Sequence, residues 1–362
     1  MNSPRNAAPD SGLTPGGNPA EPGTLTWSGP EIPSLYGLRG LAAFTVVLSH
    51  LGLAAFNANY AVICFFVLSG FLITHLLLRE FDRTGDISLR QFYTRRALRI
   101  FPAFYGYAAC YIAGRLVVRL PIDWPTLISC LTYTSNYYFA FSGQPLATMI
   151  HAWSLAVEEQ FYLLWPLIVW RLHGNRPLMM KILAAAIAAV WIYRWIAVLY
   201  AFDGTYIFCA FETRADALAI GCLIAVASRE RCLPRWVIEA RWLAAIAIVA
   251  VILASALVIN GPRYSWSLVA VAFAVILIQS VAHARTRWYR FLNSRLLHAL
   301  GVISYSLYLY HPFSNRLPGK LHTLPIGVAF ALLLATASYW IVERPFLTLK
   351  DRLSKAHRPA AG

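Results

Sequence analysis

The chain has 362 residues, 59% of them hydrophobic and only 13% charged, with a mean hydropathy of +0.56. Charged residues make up about a quarter of an ordinary soluble domain, so the composition excludes one and points to helices that satisfy their own backbone in lipid. The formal charge of +15 falls in short clusters between apolar runs, which is the pattern of cytoplasmic loops and not of a nucleic-acid surface.

Residues 1–30 are rich in Pro, Gly, Ser, Asn and Ala and hold no apolar run, so they read as a disordered tail and not as a signal peptide. The apolar runs that follow are continuous rather than alternating, which disfavours a β-barrel. Windows of about 18–20 apolar residues predict spans near 36–54, 60–78, 100–118, 150–170, 182–200, 207–227, 242–259, 264–282, 298–314 and 323–341. The stretch 124–145 is aromatic-rich and reads as a re-entrant or interfacial piece. The fold class expected is all-α, a polytopic bundle of about ten membrane helices.

Arginine and lysine set the orientation. Alternate loops carry Arg79, Arg83, Arg90, Arg95, Arg96 and Arg99, then Arg171, Arg176 and Lys181, then Arg229, Arg231, Arg235 and Arg241, then Arg285, Arg287, Arg290 and Arg295. The intervening loops are poor in charge, apart from Arg316 and Lys320 in 315–322. Positive loops lie inside, which places both termini in the cytoplasm. The chain then divides into a tail over 1–30, a membrane domain over 31–348 and a basic cytoplasmic tail over 349–362. Six cysteines lie mostly in or beside apolar segments without C-x-x-C or metal spacing and read as small buried hydrophobes. No metal is expected.

The first span, YGLRGLAAFTVVLSHLGLA, carries Arg39 and His50 eleven positions apart. Eleven positions are roughly 1100° of helix and about 16 Å of rise, so both side chains share a face. Ionisable groups inside a membrane are costly and mark function by default. The bland alternative is a snorkelling arginine and a satisfied interfacial histidine. In the assigned topology His50 joins His151, Ser154, Glu158 and Glu159 of the fourth span, Glu212, Arg214 and Asp216 of the sixth, and His311 of the ninth, all on one side of the midplane. His151, Ser154 and Glu158 share a face by i, i+3, i+7 spacing, and Glu159 is the weaker candidate. Glu158 can equally form a structural ion pair with Arg214, and Asp216 can pair with Arg214. On the other side, Arg39 faces Arg95, Arg96 and Arg99. Arginines grip phosphates in bidentate fashion, though topogenic charge and anionic-lipid contact explain such a run as well. Coenzyme A has the shape that joins the two sides: a phosphorylated head, a thin arm and a thioester tip. Gly37, Gly40, Gly52 and Gly70 would allow the close backbone approach of a narrow channel.

A series of motifs in order then resembles the acyltransferase-3 family of polytopic membrane O-acyltransferases. They are LRGLAAFTVVLSH (38–50), FFVLSGFLIT (65–74), RRALRIFPAFY (95–105), HAWSLAVEEQFYLLWP (151–166), TRADALAIGCLIA (213–225), SYSLYLYHP (304–312) and VERPF (342–346). The resemblance implies transfer of an acyl group, often acetyl, from cytoplasmic acyl-CoA to a hydroxyl of a surface polysaccharide, lipopolysaccharide or similar acceptor, in the bacterial inner membrane. It implies His50 and Glu158 as catalytic residues, with Glu158 orienting His50 or holding the acceptor. Arg39, Arg95, Arg96 and Arg99 would hold the acyl-CoA phosphates. His151, Trp153, Ser154, Tyr308 and His311 would bind the acceptor. Oxyanion donors considered are Tyr308, Ser69 and Ser304. Some family members add a periplasmic hydrolase-like domain; none is read here, so a second transfer step is not expected. The rival reading is a transporter or flippase for a lipid-linked sugar, which needs no acyl-CoA.

Overall fold

The computed structural model describes Leu25 and residues 31–53, 56–142, 149–257, 265–317 and 323–356. The expected tail over 1–30 therefore lies outside the described residues except for Leu25, as do 357–362 of the basic tail.

Among the described residues every regular element is a helix. In order these are α1 (Leu35–His50), α2 (Ala58–Thr84), α3 (Leu89–Val117), α4 (Trp124–Leu131), α5 (Ser135–Ser142), α6 (Ala152–Arg171), α7 (Arg176–Leu199), α8 (Gly204–Cys209), α9 (Ala215–Arg229), α10 (Arg235–Glu239), α11 (Trp242–Leu257), α12 (Ser265–Ala282), α13 (Arg287–Arg290), α14 (Arg295–Val302), α15 (Ser304–Ser314), α16 (Leu324–Ser338) and α17 (Arg344–Ala356). Polar caps set several boundaries. The Asn57 side chain accepts from the Asn59 amide at the start of α2, and Gly85 closes that helix at φ 74°. Ser88 caps α3 and Asn175 caps α7 by the same device.

Helices α2, α7, α12 and the stretch Leu324–Leu353 are long and apolar enough to cross a membrane, and α11 is a shorter apolar helix. Of the most apolar window, 78% is buried in α2 but only 17% in α7. Helix α2 is thus a central post, whereas α7 presents Ile192, Trp195 and Leu199 outward.

Two expected spans are broken. The stretch 207–227 divides into α8, a 3-10 turn over Phe211–Thr213 and α9. The Thr213 hydroxyl donates back to the Ile207 and Ala210 carbonyls, and Arg194 donates to the Thr213 carbonyl at 2.6 and 2.9 Å. These bonds satisfy backbone groups that a break would otherwise strand in lipid. The stretch 298–314 divides at Ile303 into α14 and α15, with the Ser304 hydroxyl on the Gly301 carbonyl. The stretch 124–145 forms α4 and α5 as far as Ser142. The basic tail begins inside α17, which follows α16 through a π turn over Tyr339–Glu343.

Of the four glycines expected along a channel, three serve helix packing instead. A Cβ on Gly70 would stand 1.9 Å from the Leu218 carbonyl oxygen, and one on Gly221 would stand 2.1 Å from that of Val67. Helices α2 and α9 therefore cross backbone to backbone. Gly37 and Gly40 similarly abut Leu292 and the Gly301 amide, while Gly52 sits in open space at φ +91°. Asp216 pairs with Arg194 at 2.7 Å, not with Arg214, and both partners are buried. The Asp216 carboxylate also accepts from Trp191 and Ser267.

Candidate active site

Helices α1, α2, α3, α6 and α15 surround three adjoining cavities. The first, about 370 Å³, is walled by His50, Asn57, His151, Trp153 and Tyr308. The second is narrow, about 70 Å³, and is walled by Arg39, Ser69, Arg96, Arg99, Glu158 and Tyr308. The third, about 380 Å³, is a basic mouth with Arg79, Arg83, Arg95, Arg96, Arg99 and Lys350. Arg96, Arg99 and Leu72 belong to both the mouth and the arginine cavity. Val62 and Tyr308 belong to both the arginine cavity and the His50 cavity. The three cavities thus stand in series, with Tyr308 at the second junction.

His50 ends α1 and is exposed. Its Nδ1 lies 2.9 Å from the Val46 carbonyl oxygen. A carbonyl only accepts, so Nδ1 is the donor, and the neutral ring has its lone pair on Nε2. The His50 ring lies 4.8 Å from that of His311, which in turn lies 5.6 Å from His151. Nδ1 of His311 donates to the Tyr308 carbonyl at 2.7 Å. Nε2 of His311 and both ring nitrogens of His151 are buried without a hydrogen-bond partner among the described residues. No group of three or more His, Cys, Asp or Glu is placed to hold a metal ion among the described residues.

The Tyr308 hydroxyl is 2.6 Å from Ser154 Oγ and donates to the His151 carbonyl at 3.1 Å. Trp153 packs against Phe66 and Phe208 on the far wall of the His50 cavity. Behind it Arg214, 2% exposed, lies 4.0 Å from the Trp266 ring centre and 5.2 Å from that of Trp153. A cation over aromatic faces is held by their quadrupoles.

Glu158 does not meet His50. Its carboxylate accepts from the Ser69 and Tyr162 hydroxyls within the arginine cavity. The physical reason lies in α6: Glu158 is seven residues beyond His151, about 10 Å further along the helix, which carries it past Tyr308. Glu158 does not pair with Arg214 either. The predicted arginines also separate. Arg39, Arg96 and Arg99 line the narrow cavity, and Arg96 sits 4.2 Å over the Tyr162 ring. Arg95 lines only the mouth, bonded to Glu80 at 3.0 Å and to Gln91 at 3.2 Å. Glu159, the weaker candidate, lines the arginine cavity beside Glu158. Tyr162 as the partner of Glu158 was findable, because four residues on a helix bring side chains together. Glu80 as the partner of Arg95 carried no local signal.

The chain is 30% identical over 363 residues to the peptidoglycan O-acetyltransferase OatA of Listeria monocytogenes, covering 92% of this chain and 57% of that protein. It is 27% identical over 348 residues to the O-acetyltransferase OatA of Staphylococcus aureus (strain NCTC 8325 / PS 47), covering 87% of this chain and again 57% of the relative. The chain thus spans little more than half the length of these curated relatives. No solved structure matches it. The model of the family described as an acyltransferase domain matches residues 32–344, and with His50, the arginines and Glu158 all inside that match the chain belongs to the acyltransferase-3 family.

Proposed function

We propose that this protein is a membrane O-acyltransferase that moves an acyl group, acetyl by preference, from acyl-CoA to a hydroxyl of a glycan acceptor. The observation that carries the reading is the series of cavities: a basic mouth, a narrow arginine-lined passage and a chamber holding His50. The name of the Listeria relative, a peptidoglycan O-acetyltransferase, supports a glycan as acceptor.

The nucleotide and phosphates of acyl-CoA rest at the mouth, with Arg96 and Arg99 as bidentate donors and Arg39 deeper in. The pantetheine arm passes Tyr308 and brings the thioester to His50. His50 Nε2 removes the acceptor hydroxyl proton as oxygen bonds to the thioester carbonyl carbon. The tetrahedral oxyanion collapses, the carbon–sulfur bond breaks, and the imidazolium returns the proton to the CoA thiolate. The products are an ester and free CoA. In this reading the Tyr308 hydroxyl turns from the His151 carbonyl to donate to the oxyanion. Glu158, bonded to Ser69 and Tyr162, offsets the buried arginine charge and fixes that wall of the passage.

In this reading the chain crosses a bacterial inner membrane about ten times, with both termini and the basic mouth in the cytoplasm. His50→Ala in liposomes abolishes release of CoA from acetyl-CoA and labelling of a glycan panel, with expression and monodispersity retained. Wild-type turnover by that variant ends the assignment. CoA-independent movement of a lipid-linked sugar would instead favour the transport reading.

A further inference from the structure

A fourth cavity, about 480 Å³, lies on another face of α1 from the arginines. Leu38, Leu41, Ala42 and Thr45 form its α1 wall, and their i, i+3, i+4, i+7 spacing is one helix face. Arg39 stands about 100° round from Leu38. The opposite wall is apolar too, with Ile248 and Ile252 of α11 and Phe273 and Ile276 of α12. From Leu38 to Thr45 the groove runs about 10 Å along the helix axis, a third of the roughly 30 Å hydrocarbon layer.

Three features say what belongs there. The groove is open rather than enclosed, because Ile248 and Ile252 of the apolar helix α11 line it and are 47% and 59% exposed. In a bilayer that opening meets hydrocarbon. The groove also joins the His50 cavity, since Phe56, Asn57 and Ser255 line both. It shares no lining residue with the arginine cavity. An occupant of the groove therefore reaches His50 from a different side than a donor lying along the arginines. It belongs to the second substrate.

We propose that this groove holds a hydrocarbon chain of a lipid-anchored acceptor, whose headgroup passes Phe56, Asn57 and Ser255 to present its hydroxyl to His50. The inference rests on the acyl-transfer reading and narrows its acceptor from glycans at large to those carried on a lipid.

The test uses the full chain in nanodiscs with two photoreactive hexadecyl glucosides, one bearing a diazirine in mid-chain and one bearing it on the glucose. The mid-chain probe is expected to mark the α1, α11 and α12 walls, and the sugar probe the residues around Asn57 and Trp153. Unlabelled hexadecyl glucoside displaces both, and methyl glucoside displaces neither. Thr45→Trp fills the groove from within and cuts mid-chain adducts about tenfold, the penalty of overpacking a fitted space. Ile248→Trp, at the exposed mouth where folding tolerates it, does the same. Adducts confined to outward faces and unchanged in both variants overturn the proposal. So does a photoreactive diacyl phospholipid that marks the walls and resists displacement, which would make the occupant a structural lipid. Release of CoA from acetyl-CoA by the unsubstituted protein, read in the same nanodiscs, separates the two claims. Its absence sinks acyl transfer, while the adduct pattern alone decides the groove.

Discussion

Arg95 and Arg99 lie one helical turn apart on α3, yet their surroundings assign them different work. Arg99 lines both the mouth and the narrow passage, whereas the charge of Arg95 is already matched by Glu80 at 3.0 Å. Glu80 is only 15% exposed and Gln91 also accepts from Arg95, so a phosphate that reached this guanidinium would have to displace a carboxylate and leave it unpaired. Arg99→Gln is expected to raise the acetyl-CoA KM about tenfold with kcat little changed, the signature of lost uniform binding. Arg95→Gln moves KM by about twofold or less. Steady-state CoA release across an acetyl-CoA titration measures both, and equal shifts would undo the distinction. Sequence reading named both arginines as equivalent, because a run of like charges does not reveal which member a distant carboxylate has taken. The same blindness placed Asp216 beside Arg214, two positions away, when its partner Arg194 lies on the preceding long helix. The position of His50 at the end of α1 and of Arg39 near its start was legible, since helical rise follows from spacing alone.

At the scale of the helices, glycine decides how close the walls of the site come. Gly70 and Gly221 each meet the partner helix's backbone, so α2 and α9 cross without intervening side chains. Ser69, the neighbour of Gly70, donates to Glu158 on α6, so the same stretch of α2 meets both α9 and the arginine cavity. Gly70→Val must push α9 away or unfold the contact. It is expected to destabilise the bundle by about 3 kcal/mol or more, read as a fall in thermal midpoint in detergent. Gly52→Ala, in open space, serves as the comparison and leaves packing intact. An unchanged midpoint for Gly70→Val would show that the crossing contributes nothing. The apolar windows located most of these helices because burial in lipid demands long hydrophobic runs. They did not locate the breaks at Arg214 and Ile303, because a window of about 18–20 residues averages over the polar stretch 212–216 and over Ser304. There the helix ends through side-chain bonds to stranded carbonyls: those of Thr213 and Ser304 are local, and the one from Arg194 on α7 comes from a separate helix.

For the whole molecule, the serial cavities impose a direction. On the proposed reading the donor is acyl-CoA, which is too polar to cross a bilayer unaided, and it enters at the mouth lined by Arg96 and Arg99. In the proposed topology the positive-inside rule assigns that mouth to the cytoplasm together with the loop after α9, which carries the exposed Cys232. Cys232 is therefore a natural marker of the donor face. Cys110 is the other exposed thiol and the remaining four are buried, so a Cys110→Ser protein leaves one reactive site. In sealed inside-out vesicles an impermeant maleimide is expected to label Cys232, and added acetyl-CoA to yield His50-dependent CoA release. In right-side-out vesicles both signals disappear until the membrane is permeabilised. Label and activity must change together, because one face carries both the thiol and the mouth. Release from acetyl-CoA added opposite Cys232 would mean that the donor enters through the His50 cavity. The arginine passage would then be a structural charge cluster, and Tyr308 would bound the site on its inner side instead of standing between donor and base.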